Sequence, residues 1–321
     1  MSDVNETVNL WYGHLSMLLV AGDRLDTVTY LQEKEQLVGN ALREVLAEWD
    51  EVPERLREAV TYSLLAGGKR LRPILLLTTC EALGGEEEVA LAFACALEMI
   101  HTYSLIHDDL PDMDNDDYRR GQLTNHKVFG PALAILAGDA LLTEAFGLLA
   151  RAAQNANLPD GVGLAIIAEA GTRAGAKGMV GGQVKDIQAE GKRVTLEELE
   201  EIHRRKTGDL ITFSIRAGAM VAGANSEQLE ALTAYANRIG LAFQIQDDVL
   251  NVTGDDEMLG KPVGSDAEKE KATFPALLGI DASRERVRQL VSEAKEKIMD
   301  VPGLDPEHLI MIADYLIDRE R

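Results

Sequence analysis

Along most of the chain, apolar residues recur at spacings of three and four, the period of an amphipathic helix. Leu31, Leu37, Val38, Leu42, Val45 and Leu46 set this pattern from Tyr30 onward. Pro53 is placed to open the next helix, and Gly67-Gly68 to close it. Residues 86–110 read as one long apolar helix with an acidic first turn, the charge that a helix N-terminus favours. Pro131 opens another, and after the Leu158-to-Gly161 turn a further helical stretch runs from 162 to 190. Thr195 followed by Glu198 is a capping-box signature. Beyond it come a helical segment near 210–223, a helix over about 226–253, a polar stretch at 254–270 and two closing helices. Strand-like alternation, a βαβ rhythm and Gly/Ser-rich or Pro-rich linkers are all missing. The prediction is an all-α fold, a single large helical bundle of ten or more helices over 29–321. An appendage at 1–28, read as a short helix, precedes it.

Composition narrows the function classes. The 54 acidic and 32 basic side chains leave a formal net charge of −22 over 321 residues. A polyanion would be repelled, so nucleic acid is excluded as a general partner, as is docking on an anionic membrane. Apolar residues make up 46%, enough to bury a full core. No apolar run reaches about 18 residues, so no stable membrane insertion is expected. No Lys or Arg precedes Arg24, so a secretory signal is not expected either. Cys80 and Cys95 both sit among apolar residues outside any CxxC pair, which reads as two reduced core thiols in a cytoplasmic protein.

Chemistry gathers at two acidic segments. His107 to Asp117 holds six carboxylates in eleven residues, directly after the long apolar helix. Asp108 and Asp109 should therefore stand at the mouth of a core. Asp112 is four residues past Asp108, on the same helical face, but Pro111 disturbs that geometry, and a bulge would bring Asp114 over Asp108 instead. Carboxylates packed this closely repel one another unless a cation joins them, and hard oxygen ligands suit Mg²⁺ or Ca²⁺. A calcium loop starting at Asp112 fails, because its sixth position is Asp117 rather than Gly and its twelfth is Leu123 rather than Glu. The second segment, Gln244 to Asp255, carries Asp247 and Asp248 near the end of another apolar helix, with Asn251 four residues after Asp247. Two such pairs, 139 residues apart, read as facing walls of one metal-filled cavity in a helix bundle.

Basic residues alternate with these segments. Lys69, Arg70 and Arg72 lie in the GGKRLRP run, Arg119 and Arg120 follow the first acidic segment, Lys206 and Thr207 follow His203-Arg204-Arg205, and Lys261 and Lys271 flank the loop after the second. Cations beside clustered carboxylates point to a polyphosphate ligand held through Mg²⁺ bridges and direct Lys/Arg contacts. GGKRL lacks the Ser/Thr after Lys and the spaced upstream Gly, so it is not a P-loop.

Taken in order, GGKRLRP, EMIHTYSLIHDDLPDMDNDDYRRG, TNHKVFG, LAGDALL, GGQVKD, KTG, FQIQDDVLNVTGD and LGKPVGSD resemble the trans-isoprenyl diphosphate synthases (polyprenyl synthetases) over about residues 30–321, most closely the bacterial farnesyl diphosphate synthases. The resemblance implies an all-α bundle around a deep central cavity, active as a homodimer. It implies Mg²⁺-dependent head-to-tail joining of isopentenyl diphosphate to an allylic diphosphate, dimethylallyl or geranyl, with farnesyl diphosphate as main product. Three Mg²⁺ ions are expected, with Mn²⁺ as a substitute. Asp108, Asp114 and Asp247 match the metal ligands, with Asp112 and Asn251 as further candidates and Asp109 and Asp248 as supporting catalytic positions. Lys69, Arg72, His101 and Arg120 match the isopentenyl diphosphate site. Arg119, Lys206, Thr207, Gln244 and Lys261 match allylic-substrate positions, with Lys271 as a further substrate cation. Tyr103, with small Ser104 beside it, matches an aromatic floor that stops growth at fifteen carbons. His107 reads as structural.

Two positions depart from the family pattern. Asp112 stands where relatives carry a small residue, and Asn251 replaces the final aspartate of the second motif, so one Mg²⁺ is expected to bind more weakly. A geranylgeranyl diphosphate synthase and a non-catalytic subunit of a prenyl synthase are the alternatives. Intact acidic and basic sites count against the non-catalytic subunit, and the complete isopentenyl site counts against a terpene cyclase.

Overall fold

The structure is a computed structural model that describes residues 26–159, 161–253 and 272–317. The expected appendage lies outside the described residues except for 26–28, which belong to the first helix, α1, at 26–47. α2 spans Glu54–Leu64, with Pro53 at its N-cap. α3 spans Leu71–Ala82 and α4 Glu87–Asp108. A short α5, Asn125–Phe129, precedes α6, Pro131–Asn155. The 162–190 stretch is broken into α7, Val162–Ala174, and α8, Met179–Ala189. The break falls at Gly175–Gly178, where a Cβ on Gly178 would lie 1.9 Å from the Arg173 carbonyl oxygen. α9, Leu196–His203, starts on the expected capping box, with Thr195 and Glu198 bonded to each other's backbone. One π-helical turn, Arg204–Gly208, joins it to α10, Asp209–Val221. α11 covers Ser226–Thr253. The helices Phe274–Leu278, Ile280–Ile298 and Glu307–Ile317 complete the described chain, one more than expected at the C-terminal end.

Strand structure is confined to a two-residue hairpin, Tyr118–Arg119 with Gln122–Leu123, among the described residues. Its turn residues, Arg120 and Gly121, both have positive φ, at 54° and 75°. That is the backbone of a type I′ hairpin turn.

α3 and α10 form the partition of the bundle. Leu210, Phe213, Ala217 and Val221 of α10 pack into a core made with α1, α2, α4, α6 and α7. Ile211, Ile215 and Ala219, on its other side, pack with α11, Ile280–Ile298 and Glu307–Ile317. A helix packed on both sides must bury most of its residues, and α10 does, leaving Arg216 to pair with Glu169. α3 and α10 cross closely at Gly218, where a Cβ would stand 2.2 Å from the Leu76 carbonyl oxygen. α4 and α6 are each long and apolar enough to cross a membrane, but α4 runs through the core, with 67% of its most apolar window buried. α6 is 33% buried over its window and leaves Ile135 and Leu136 exposed. Cys80 and Cys95 are free and buried, and burial pushes their thiols up to about 11 and about 12.

Candidate active site

Pro111 has no N–H to continue α4, and the helix stops at Asp108. The chain then loops back. Asn115 adopts a left-handed φ of 50°, its N–H reaches the Leu110 oxygen at 3.0 Å, and Asp114 N–H reaches the Asp108 oxygen at 2.9 Å. Asp114 is thereby carried over the last turn of α4, as the bulge reading expected. Asp112 is exposed on this turn.

Neighbouring aspartates take different surroundings. Asp109 is 3% exposed and accepts three bonds from Arg119, two from Nε at 2.9 and 2.8 Å and one from Nη2 at 2.6 Å. Burial pushes its carboxyl up to about 6, against the pull of Arg119. Asp108 accepts from Gln183 Nε2 and stands 3.9 Å from Lys206 Nζ. Lys206 in turn binds Asp186 at 2.6 Å. In the second segment, Asp248 is 3% exposed and fully engaged. It accepts from Phe274 N–H at 3.0 Å and from Gln244 Nε2 at 3.2 Å, and lies 3.2 Å from His203 Nε2. Asp247 remains partly open, close enough for its charge to act on Arg72. Asn251 is buried.

The π turn joins the two segments. It displays Lys206 toward Asp108, while Thr207 donates to Gln244 at 2.8 Å, one turn before Asp247. α8 comes so close to this turn that a Cβ on Gly182 would stand 2.3 Å from Lys206 N. Such π insertions often mark functional sites. Gln183 and Asp186 were given no role from the sequence. They lie three apart on one face of α8, and the GGQVKD run was their only signal.

Cations gather further back along α4, around Glu98 and His101. Gly67 and Gly68 have φ of 79° and 107°, and Arg70, at φ 45°, is the N-cap of α3. Glycine is favoured at 68 by its φ of 107°, and it lets the Arg120 guanidinium pack to where a Cβ would stand 2.5 Å away. Arg72 Nη1 lies 3.2 Å from His101 Nε2. Burial lowers Arg72 to about 10 despite Glu98 and Asp247. Burial first, and then Arg72, Arg120, Arg119 and Arg70, hold His101 neutral well below the usual histidine range. Lys261 and Lys271 lie outside the described residues.

The depressed His101 has a consequence for stability. An unfolded histidine takes its proton near pH 6.5 while native His101 does not, so its contribution is present above that pH and is lost as pH falls below it. Ligand-free wild type should lose stability between pH 6.5 and 5 more steeply than His101→Asn, by up to about one proton, or about 1.4 kcal/mol per pH unit. Urea unfolding at a series of pH values reads this directly, and parallel curves would refute it.

Among the described residues, no three His, Cys, Asp or Glu side chains stand close enough to hold a metal between them. The chemistry of the donors still fits Mg²⁺, which commonly takes one or two carboxylates and completes its shell with water and substrate phosphate oxygens.

Comparison with known proteins places this architecture. The fold matches an FPP/GFPP synthase from Zymomonas mobilis with a TM-score of 0.78 at 38% identity, covering 92% of this chain and 99% of that one. The class is therefore the all-α isoprenoid synthases. The polyprenyl synthetase family model matches residues 53–303, and the chain belongs to that family. It is 50% identical to the farnesyl diphosphate synthase of Geobacillus stearothermophilus, over 92% of this chain and 99% of the relative. It is 46% identical to the geranylgeranyl diphosphate synthase of Cyanophora paradoxa, over 91% and 96%. The protein is a prenyltransferase of a generally metal-dependent family that extends prenyl chains head to tail.

Proposed function

We propose that the enzyme joins isopentenyl diphosphate to dimethylallyl or geranyl diphosphate, with Mg²⁺, and releases farnesyl diphosphate as its main product. One observation carries the reading: both acidic helix ends meet at a single π turn that bears Lys206. Asp108, Asp114 and Asp247 would hold Mg²⁺, which supplies Lewis-acid stabilisation of the departing diphosphate. Asp112, exposed, and Asn251, buried and uncharged, are lesser candidates. Asp109 and Asp248 act through their neighbours, one orienting Arg119, the other tying α11 to His203 and the Phe274 backbone. Lys206, Arg119, Thr207 and Gln244 border the allylic diphosphate, with Lys261 and Lys271 assigned to the same substrate.

As the allylic C–O bond breaks, negative charge grows on the diphosphate, and Lys206 and Arg119 are preset to stabilise it. The allylic cation adds to the isopentenyl double bond. The new cation loses a proton to the diphosphate, so no histidine base is required. Lys69, Arg72 and Arg120 hold the isopentenyl diphosphate, and neutral His101 donates to it. Apolar helix walls keep water from the cation.

The assay is incubation with isopentenyl diphosphate, each allylic diphosphate in turn and Mg²⁺, followed by product sizing. Fifteen-carbon product from either starter is expected. A twenty-carbon main product would establish the geranylgeranyl alternative that the Cyanophora relative represents, and no elongation would establish the non-catalytic one. We also propose a homodimer that covers Ile135 and Leu136 of α6 and Leu164 of α7, which is 74% exposed. A cytoplasmic setting is supported by the two buried, unpaired thiols. One catalytic domain then covers 29–321, with 26–28 added to it because they belong to α1.

A further inference from the structure

Glu98 sits in the middle of α4, 1% exposed, in a run of buried apolar residues. A buried carboxylate is costly unless charge and hydrogen bonds compensate it. Here three chain segments converge on it. Arg70 Nη1 donates to Glu98 Oε1, and the Nη2 of the same guanidinium donates to the Leu64 carbonyl oxygen at 2.6 Å, bridging the end of α2 to α4. Arg120, from the hairpin, places Nη2 4.0 Å from Glu98 Oε1 and donates through Nη1 to the Gly67 oxygen. His101 follows one turn later on α4 and meets Arg72. Glu98 is therefore the junction of the 67–73 loop, the hairpin and α4, and each of these supplies a group to the isopentenyl site described above.

Two buried atoms are left over at this junction. Among the described residues, Glu98 Oε2 and Arg72 Nε have no hydrogen-bond partner. Arg70, Arg72 and Arg120 also repel one another, and the Glu98 carboxylate is the main charge that offsets burial of both Arg72 and Arg120.

We propose that Glu98 is a positioning residue for isopentenyl diphosphate: through Arg70 and Arg120 it locks the 67–73 loop and the hairpin in the one arrangement that presents Lys69, Arg72 and Arg120 to the same diphosphate. This deepens the function proposed above and rests on it. The opposing effect has the opposite sign. A carboxylate that merely repelled the ligand would, once neutralised, leave binding tighter. Positioning predicts weaker binding, because three unbalanced guanidinia would spread the loop and hairpin apart.

The test measures isopentenyl diphosphate binding without metal by calorimetry, together with steady-state KM values for both substrates. Glu98→Gln should raise the Kd and KM for isopentenyl diphosphate at least about tenfold, while the allylic KM and the Mg²⁺ half-saturation stay within about twofold. Arg70→Lys keeps the charge but loses the fork that reaches Glu98 and Leu64 together. It should show the same selective rise and decides the matter if Glu98→Gln does not fold. Unchanged or tighter isopentenyl binding, or equal shifts in both KM values, would overturn the positioning role. Wild type that failed to bind isopentenyl diphosphate would instead overturn the functional reading itself.

Discussion

Asp108→Asn should lose nearly all turnover, with kcat/KM for the allylic substrate falling roughly 1,000-fold or more, about 4 kcal/mol of transition-state stabilisation. The substitution keeps the side chain's size and its acceptor for Gln183, but removes the charge facing Lys206 Nζ at 3.9 Å. It also removes a hard anionic oxygen from a position proposed to hold Mg²⁺. Half-saturation by Mg²⁺ should therefore rise along with the loss in rate. Asp112→Asn, on the exposed part of the turn, should change either quantity little. Steady-state kinetics across a Mg²⁺ titration checks both variants, and a loss below tenfold in Asp108→Asn would remove Asp108 from the proposed site.

Tyr103→Ala should change what the enzyme makes. Tyr103 lies five residues before Asp108 on α4, about 7–8 Å along the axis at helical rise. Its ring is 6% exposed and meets His107 edge-on, with centroids 5.7 Å apart. His107 is held at 3.0 Å from the Ile135 carbonyl oxygen, and Gly138 makes room for it, since a Cβ there would stand 2.1 Å from the imidazole. Tyr103 is thus braced against α6 through His107, which gives His107 the structural part expected of it. Removing the ring opens space below the carboxylates, and products of twenty carbons or more should appear. The same cavity should lower stability by about 3 kcal/mol. Product chromatography and thermal unfolding read the two effects independently. Fifteen-carbon product alone would reject Tyr103 as the floor.

Legibility followed the range of the forces involved. The capping box at Thr195 and Glu198, the helix opened by Pro131 and the full span of α11 could be read locally, because each depends on residues within one helical turn. The hairpin at 118–123 could not, since two-residue strands carry no period. Nor could the π turn, because Arg204 to Gly208 fits an ordinary helix by composition. Glu98 read as one polar residue in an apolar run, and its importance arises from Arg70, 28 positions earlier, and Arg120, 22 positions later.

The chain's own pattern was enough to set most of the helices, the acidic and basic motifs and the family to which they point. Spacing and composition by themselves could not separate Asp108 from Asp109, or Asp247 from Asp248; only the resemblance gave the members of each pair different parts. Adjacent carboxylates are chemically identical in isolation, and their difference comes from partners far away in the chain. Arg119 claims Asp109, while His203 and the Phe274 backbone claim Asp248. Helix packing brings those partners into reach, and it leaves Asp108 beside Lys206 and Asp247 partly open.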